Sequence, residues 1–171
     1  MKAAFFDRDG TIIRDYPDED WSHVQDPEFI DGSLETLSVL RKQGYHIIII
    51  TNQYLINEGY ITFAQYKRIN DKMLDNIREY GVNVADVFHC PHRRDEGCVC
   101  IKPNKGMVDQ ALKKYPKINL SESFIVGDSI SDMELAVRCR MKGYWISPSA
   151  RSNNPLITRV DHIKEIILLF E

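Results

Sequence analysis

Apolar residues in this chain gather into short unbroken runs, separated by longer stretches in which they recur every three or four positions. Residues 3–6 (Ala-Ala-Phe-Phe) form the first run, and residues 45–51 hold four consecutive isoleucines. A half-buried strand alternates apolar with polar, so an unbroken run of this kind reads as a strand covered on both faces, as in a parallel sheet. Residues 84–88, 124–127 and 144–146 are shorter runs of the same kind. Between them, Leu34, Leu37, Val39 and Leu40 draw an apolar stripe over residues 33–42, ended by Gly44. Residues 62–80 place Phe63, Tyr66, Ile69, Met73 and Ile77 at helical spacing behind Thr62 as N-cap, and Gly81 closes the helix. Residues 107–115, 131–141 and 161–170 complete the predicted helices. Residues 16–29, with Asp18, Glu19, Asp20, Trp21 and Asp26, read as irregular loop.

Alternation of buried strands with helices predicts an α/β protein with a doubly wound, mostly parallel sheet. No linker divides the chain, so residues 1–171 are predicted to form a single domain, and a chain of ~150 residues can bury roughly two-thirds of its unfolded surface. Hydrophobic residues make up 43% and charged residues 27%, with only 9 Gly and 7 Pro, which excludes collagen-like and disordered classes. No apolar run approaches the ~18 residues of a membrane span. Twenty-two Lys+Arg against 25 Asp+Glu leave a charge of −3, so no global basic field draws in nucleic acid or anionic lipid. An anionic ligand must be caught locally. The N-terminus turns acidic at Asp7, too early for a signal peptide, so the expected location is the cytoplasm.

Ligands of doubly wound sheets bind beyond the carboxyl ends of the strands. Asp7-Arg8-Asp9-Gly10-Thr11 follows the first run, Thr51-Asn52-Gln53 the second, and Asp128-Ser129 with Asp132 the fourth. A lone pair of carboxylates two residues apart is usually a capping turn, a Thr-Asn pair a turn, and a surface Lys such as Lys102 merely solvated. Parallel topology, however, brings these segments to one edge. Clustered carboxylates raise one another's pKa values unless a cation neutralises them, and Mg²⁺ with several waters is the natural occupant. A carboxylate beside Mg²⁺ can attack phosphorus while a second protonates the leaving oxygen, with Thr51, Asn52 and Lys102 supplying donors and charge. Cys90, His92, Cys98 and Cys100 form C-x-H-x5-C-x-C, a ligand count and chemistry that suit a closed structural Zn²⁺ site better than disulfides. His89 adjoins the set as a weaker substitute, and Cys139, between Arg138 and Arg140, reads as an ordinary thiol.

The order D-x-D-G-T, T-N, a downstream Lys and G-D-x-x-x-D resembles the haloacid dehalogenase superfamily of aspartate-nucleophile phosphatases over essentially the whole chain. The motifs that carry the resemblance are Phe6-Asp7-Arg8-Asp9-Gly10-Thr11 and Val126-Gly127-Asp128-Ser129-Ile130-Ser131-Asp132. The resemblance implies a capless HAD-like domain with Asp7 as nucleophile and Asp9 as acid/base. Asp128 would join Asp7 and the Asp9 backbone carbonyl at Mg²⁺. Thr51 and Lys102 would hold phosphate, with Arg8, Asn52 and Gln53 around it, and Asp132 and Ser129 would support Lys102 or the metal waters. With its zinc loop, the chain is similar to the small capless branch of heptose-bisphosphate and histidinol-phosphate phosphatases. Its expected partner is a small phosphorylated metabolite, handled by a monomer or small homo-oligomer.

Two positions differ from the usual pattern of that branch: Ile101 and Glu58 stand where Arg is common. Both changes remove a cation from the expected substrate mouth, leaving Arg93 and Arg94 as the nearest replacements by sequence. A zinc-organised binding module is the reading from another class, but it leaves the Thr, the Lys and two acid pairs after buried strands unexplained. A phosphotransfer receiver would carry its acceptor Asp well inside the chain, and no G-x-x-x-x-G-K-[ST] loop supports a nucleotide kinase. Nucleic-acid end processing lies within the superfamily's chemistry, yet no aromatic-basic strip accompanies it.

Overall fold

The isoleucine run divides between two cores. In the computed structural model of the chain, which describes residues 1–170, β1 spans Ala3–Phe6 and β2 spans His46–Asn52. Ile47 and Ile49 join Ala4, Phe6 and Val126 on one face, whereas Ile48 and Ile50 join Ala3, Phe5 and Ile125 on the other. Strand side chains alternate between faces, so an unbroken apolar run supplies both cores at once. Each fully buried isoleucine contributes about 1.5–3 kcal/mol by leaving water.

The remaining strands are β3 (Val84–Cys90), β4 (Phe124–Gly127), β5 (Lys142–Ile146) and β6 (Ile157–Val160). The six pair in the order β3-β2-β1-β4-β5-β6, every pair parallel. Helices α1 (Ser33–Lys42) and α2 (Phe63–Glu79) cover the first face through Leu37, Leu40, Ile69 and Met73. Helices α3 (Gly106–Lys114) and α4 (Ile130–Arg138) cover the second through Met107, Val108, Leu135 and Ala136. The doubly wound α/β expectation is met. Strand order reverses between β1 and β4, so the crevice beyond their carboxyl ends is where a ligand site belongs.

Thr62 caps α2 as expected, in a capping box with Gln65. Three expectations need correction. β6 was not anticipated: it is a short edge strand with Thr158 and Arg159 exposed, so it lacks the buried apolar run that marks the others. The helix expected over residues 161–170 shrinks to α5 (Glu165–Leu168), with bends and turns over residues 161–164 and a turn at 169–170. The loop over residues 16–29 contains a 3-10 turn, Asp18–His23, that buries Trp21. Its ends are tied by Arg14 N to Glu28 O at 2.7 Å and Ile30 N to Ile12 O at 3.0 Å. Trp21 of this loop reaches the crevice. Among the described residues no helix is long and apolar enough to cross a membrane.

Candidate active site

Asp7 continues β1 beyond its last residue, its N–H donating to Val126 O of β4 at 2.9 Å. The chain then reverses at Gly10, whose φ of +83° suits glycine and where a Cβ would collide with the Asp128 carboxylate. Gly127, at the end of β4, is constrained in the same way, because a Cβ there would collide with the Asp132 side chain. Two glycines thus let two carboxylates close on the first.

Lys102 joins them. Its ammonium donates to Asp7 Oδ1 at 2.6 Å, Asp132 Oδ1 at 2.7 Å and Ile50 O at 3.1 Å, so each of its three protons has an acceptor. Its backbone is held from β2: Asn52 Oδ1 accepts from Lys102 N at 2.8 Å and Asn52 Nδ2 donates to Lys102 O at 3.3 Å. Asp132 is fully buried, and its Oδ2 accepts from Ser129 N and Ser129 Oγ in the capping box of α4. Asp128 is reached by Thr11 Oγ1 at 3.5 Å, while its backbone carbonyl accepts from Trp145 Nε1 at 3.0 Å.

One oxygen each of Asp7, Asp128 and Asp132 falls within 4.8 Å of the others. Burial, reinforced by neighbouring carboxylates, raises Asp7 well above the usual range even though Lys102 pulls the other way. Burial and Asp132 push Asp128 up to about 6. Burial works against the Lys102 charge, but Asp132 and Asp7 more than offset it, so the ammonium is held charged. Three carboxylates against one ammonium leave surplus negative charge among hard oxygen donors, a set that fits Mg²⁺. The Asp9 side chain, expected as acid/base rather than as a metal ligand, stands outside this group: Arg8 and Gln53 hold it.

Asp7, Asp9, Asn52, Lys102, Asp128 and Ser129 all line one cleft of about 170 Å³. Three residues expected to contact phosphate lie beneath it instead. Arg8 is buried against Asp9, and Thr51 and Gln53 are buried and bonded to each other, because strand-end side chains that point into the packed layer cannot also reach the opening. The cleft wall also includes Asp15, Trp21, Tyr54, Leu55 and Ser131, which sequence reasoning missed. A lone Trp in an acidic loop and an aromatic directly after Thr-Asn-Gln were the available signals. Trp21 Nε1 donates to Asp15 Oδ1 at 3.1 Å, and burial together with Asp9 raises Asp15.

Beside the cleft, Cys90, His92, Cys98 and Cys100 bring their ligand atoms within 4.8 Å of one another. Sulfur separations are 2.9 Å (Cys90–Cys100), 3.5 Å (Cys90–Cys98) and 3.6 Å (Cys98–Cys100), and His92 Nδ1 lies 3.0 Å from Cys100 Sγ. Tetrahedral Zn–S bonds of about 2.3 Å imply sulfur edges of roughly 3.7 Å, which the two separations to Cys98 match and the shorter Cys90–Cys100 separation does not. Burial raises the Cys90 and Cys100 thiols, a cost that a metal ion would remove.

The family model described as polynucleotide kinase 3 phosphatase matches residues 2–145. D-glycero-alpha-D-manno-heptose-1,7-bisphosphate 7-phosphatase of Photorhabdus laumondii is 39% identical over 146 residues, covering 81% of this chain and 78% of that one. D-glycero-beta-D-manno-heptose-1,7-bisphosphate 7-phosphatase of Haemophilus influenzae is 32% identical over 174 aligned positions, covering 98% and 91%. Among solved structures, D,D-heptose 1,7-bisphosphate phosphatase from B. bronchiseptica, complexed with magnesium and phosphate, superposes with a TM-score of 0.86 at 24% identity, covering 99% and 97%. With matching motifs, fold and relatives in place, the chain belongs to the haloacid dehalogenase superfamily of phosphatases, in the family that the polynucleotide kinase 3 phosphatase model defines.

Proposed function

We propose that this protein is a magnesium-dependent phosphomonoester hydrolase acting through an aspartyl-phosphate on Asp7. The observation that carries the reading is the Asp7 carboxylate at the end of β1, bonded to a buried Lys102 and flanked by Asp128 and Asp132. An Asp7 oxygen attacks phosphorus, the bond from phosphorus to the leaving oxygen breaks, and Asp9 gives that oxygen its proton. Asp9 then takes a proton from water, which attacks the phosphorus, and the bond to Asp7 breaks. Asp7, Asp128 and the Asp9 carbonyl would hold Mg²⁺, which supplies positive charge to the phosphoryl oxygens. Lys102 and Asn52 orient the phosphoryl group, and Asp132 anchors Lys102. Zinc on the Cys/His cluster has a structural role, since four protein ligands leave no open position. The substrate favoured by the relatives' names is a heptose 1,7-bisphosphate, cleaved at the 7-phosphate within a single capless domain. Four unpaired cysteines suit a reducing cytoplasm.

The test is a ranking by kcat/KM with Mg²⁺ over heptose 1,7-bisphosphate, the 7-phosphate, histidinol phosphate, nucleotides and a 3′-phosphorylated oligonucleotide. The family's name brings the last into the panel. The heptose bisphosphate should rank first and Asp7→Asn should abolish turnover. Activity of Asp7→Asn within tenfold of the parent sinks the nucleophile assignment.

A further inference from the structure

We propose that Arg8 and Gln53 are positioning residues that fix the Asp9 carboxyl and leave one acceptor position on Oδ1 open to the reacting group; the proposal rests on Asp9 being the acid/base. Arg8 Nε donates to Asp9 Oδ1 at 2.8 Å and Nη2 to Oδ2 at 3.0 Å, while Gln53 Nε2 donates to the same Oδ2 at 2.7 Å. A carboxylate offers about four acceptor positions, two on each oxygen. Both positions on Oδ2 are taken and one remains on Oδ1. Asp9 keeps 14% of its side chain exposed at the cleft, whereas the Arg8 side chain is 1% exposed. The three donors therefore grip Asp9 from beneath and leave its open position towards substrate.

The grip is itself held. The Arg8 guanidinium lies 5.2 Å from the Tyr66 ring and 5.5 Å from the Trp21 ring, and Tyr66 is backed by the His89 ring at 4.8 Å. Gln53 is fixed by a second bond from Nε2, to Thr51 Oγ1 at 2.8 Å. Both residues also carry a buried polar atom without a partner, Arg8 Nη1 and Gln53 Oε1. Unpaired buried polar atoms lower stability, and groups that break this rule concentrate at working sites. An arginine chosen for packing alone would not sit there half-satisfied.

An acid matters most when the leaving oxygen needs a proton, and kcat/KM reports phosphoryl transfer to Asp7. The experiment compares kcat/KM for an alkyl phosphate, such as the best sugar phosphate, with that for 4-nitrophenyl phosphate, whose leaving group departs unprotonated. In Asp9→Asn the alkyl-to-aryl ratio should fall by about 10²–10⁴. In Arg8→Lys, which keeps the charge but loses the two-pronged grip, and separately in Gln53→Leu, it should fall at least tenfold while circular dichroism stays that of the parent. Gln53→Leu carries the test alone if Arg8→Lys does not fold. A ratio unchanged in Asp9→Asn overturns the acid/base reading and the proposal with it. A ratio that falls in Asp9→Asn but holds in the folded positioning variants overturns the proposal alone.

Discussion

Lys102 Nζ donates to Asp7 Oδ1 at 2.6 Å across 95 positions of sequence, with both side chains at most a tenth exposed. A buried ion pair of this kind is costly to break from one side, because the remaining charge stays buried without a partner. Lys102→Met should lower stability by about 3–5 kcal/mol and leave no measurable turnover. Asp132→Asn removes one negative charge from Lys102 but keeps an amide oxygen that can accept its proton, and it leaves the Asp7 pair intact, so it should retain more stability than Lys102→Met. Denaturant midpoints for the two variants check the order, and the reverse order argues against Lys102 as the organiser of the cluster.

Magnesium should stabilise the protein more at pH 8 than at pH 5.5. Burial and mutual repulsion raise Asp7 and Asp128 above their unfolded values, Asp128 to about 6. A carboxyl with a raised folded pKa favours the folded state while protonated and loses that benefit as pH climbs from the unfolded value, near 4, through the folded one. Metal-free protein should therefore weaken as pH rises across that window. Mg²⁺ meets weaker competition from protons at pH 8 than at pH 5.5, so its increment in Tm should be larger at the higher pH. Equal increments at both values contradict the charge surplus.

Purified protein should carry zinc at one ion per chain, bound by Cys90, His92, Cys98 and Cys100. Cys98→Ser should reduce metal content and lower Tm, since metal binding in such a loop contributes directly to folding. Unchanged metal content and Tm would mean that the four-ligand assignment is wrong.

Arg93 and Arg94, the cations expected near the substrate mouth, are both committed to acidic partners. Arg94 stacks 4.2 Å over Tyr54 and donates to Glu58 Oε1 at 2.9 Å, Glu58 Oε2 at 2.6 Å and Asp18 Oδ2 at 3.3 Å. Arg93 turns to Asp95 at 3.1 Å. A charge-assisted hydrogen bond is worth roughly 1.5–3 kcal/mol, or on the order of tenfold to a hundredfold in binding. Preference for the bisphosphate over the 7-phosphate should accordingly stay below about a hundredfold, rise in Glu58→Gln and fall in Arg94→Ala. A larger preference that survives both Arg93→Ala and Arg94→Ala refutes this charge argument.

By itself the sequence determined the sheet class, because unbroken runs such as 47–50 have no stable place except between two covering layers. It also specified which carboxylates meet, since parallel strands send Asp7 and Asp128 to one edge, and it marked the zinc cluster through ligand spacing alone. Tertiary structure decided what pattern does not encode. β6 pairs at an edge, where one buried residue suffices, so it left no apolar run to read. Arg8, Thr51 and Gln53 look like cleft residues by position, yet rotamers in a packed layer turn them beneath it. Asp15 and Trp21 reach the cleft only because the loop after β1 folds back towards it, Tyr54 comes to it from the loop after β2, and the fate of Arg94 depended on Glu58 and Asp18 arriving from two other loops. Local pattern records which side chains must be buried or clustered; which neighbour each one meets is set by long-range packing, and charge at the mouth follows from that.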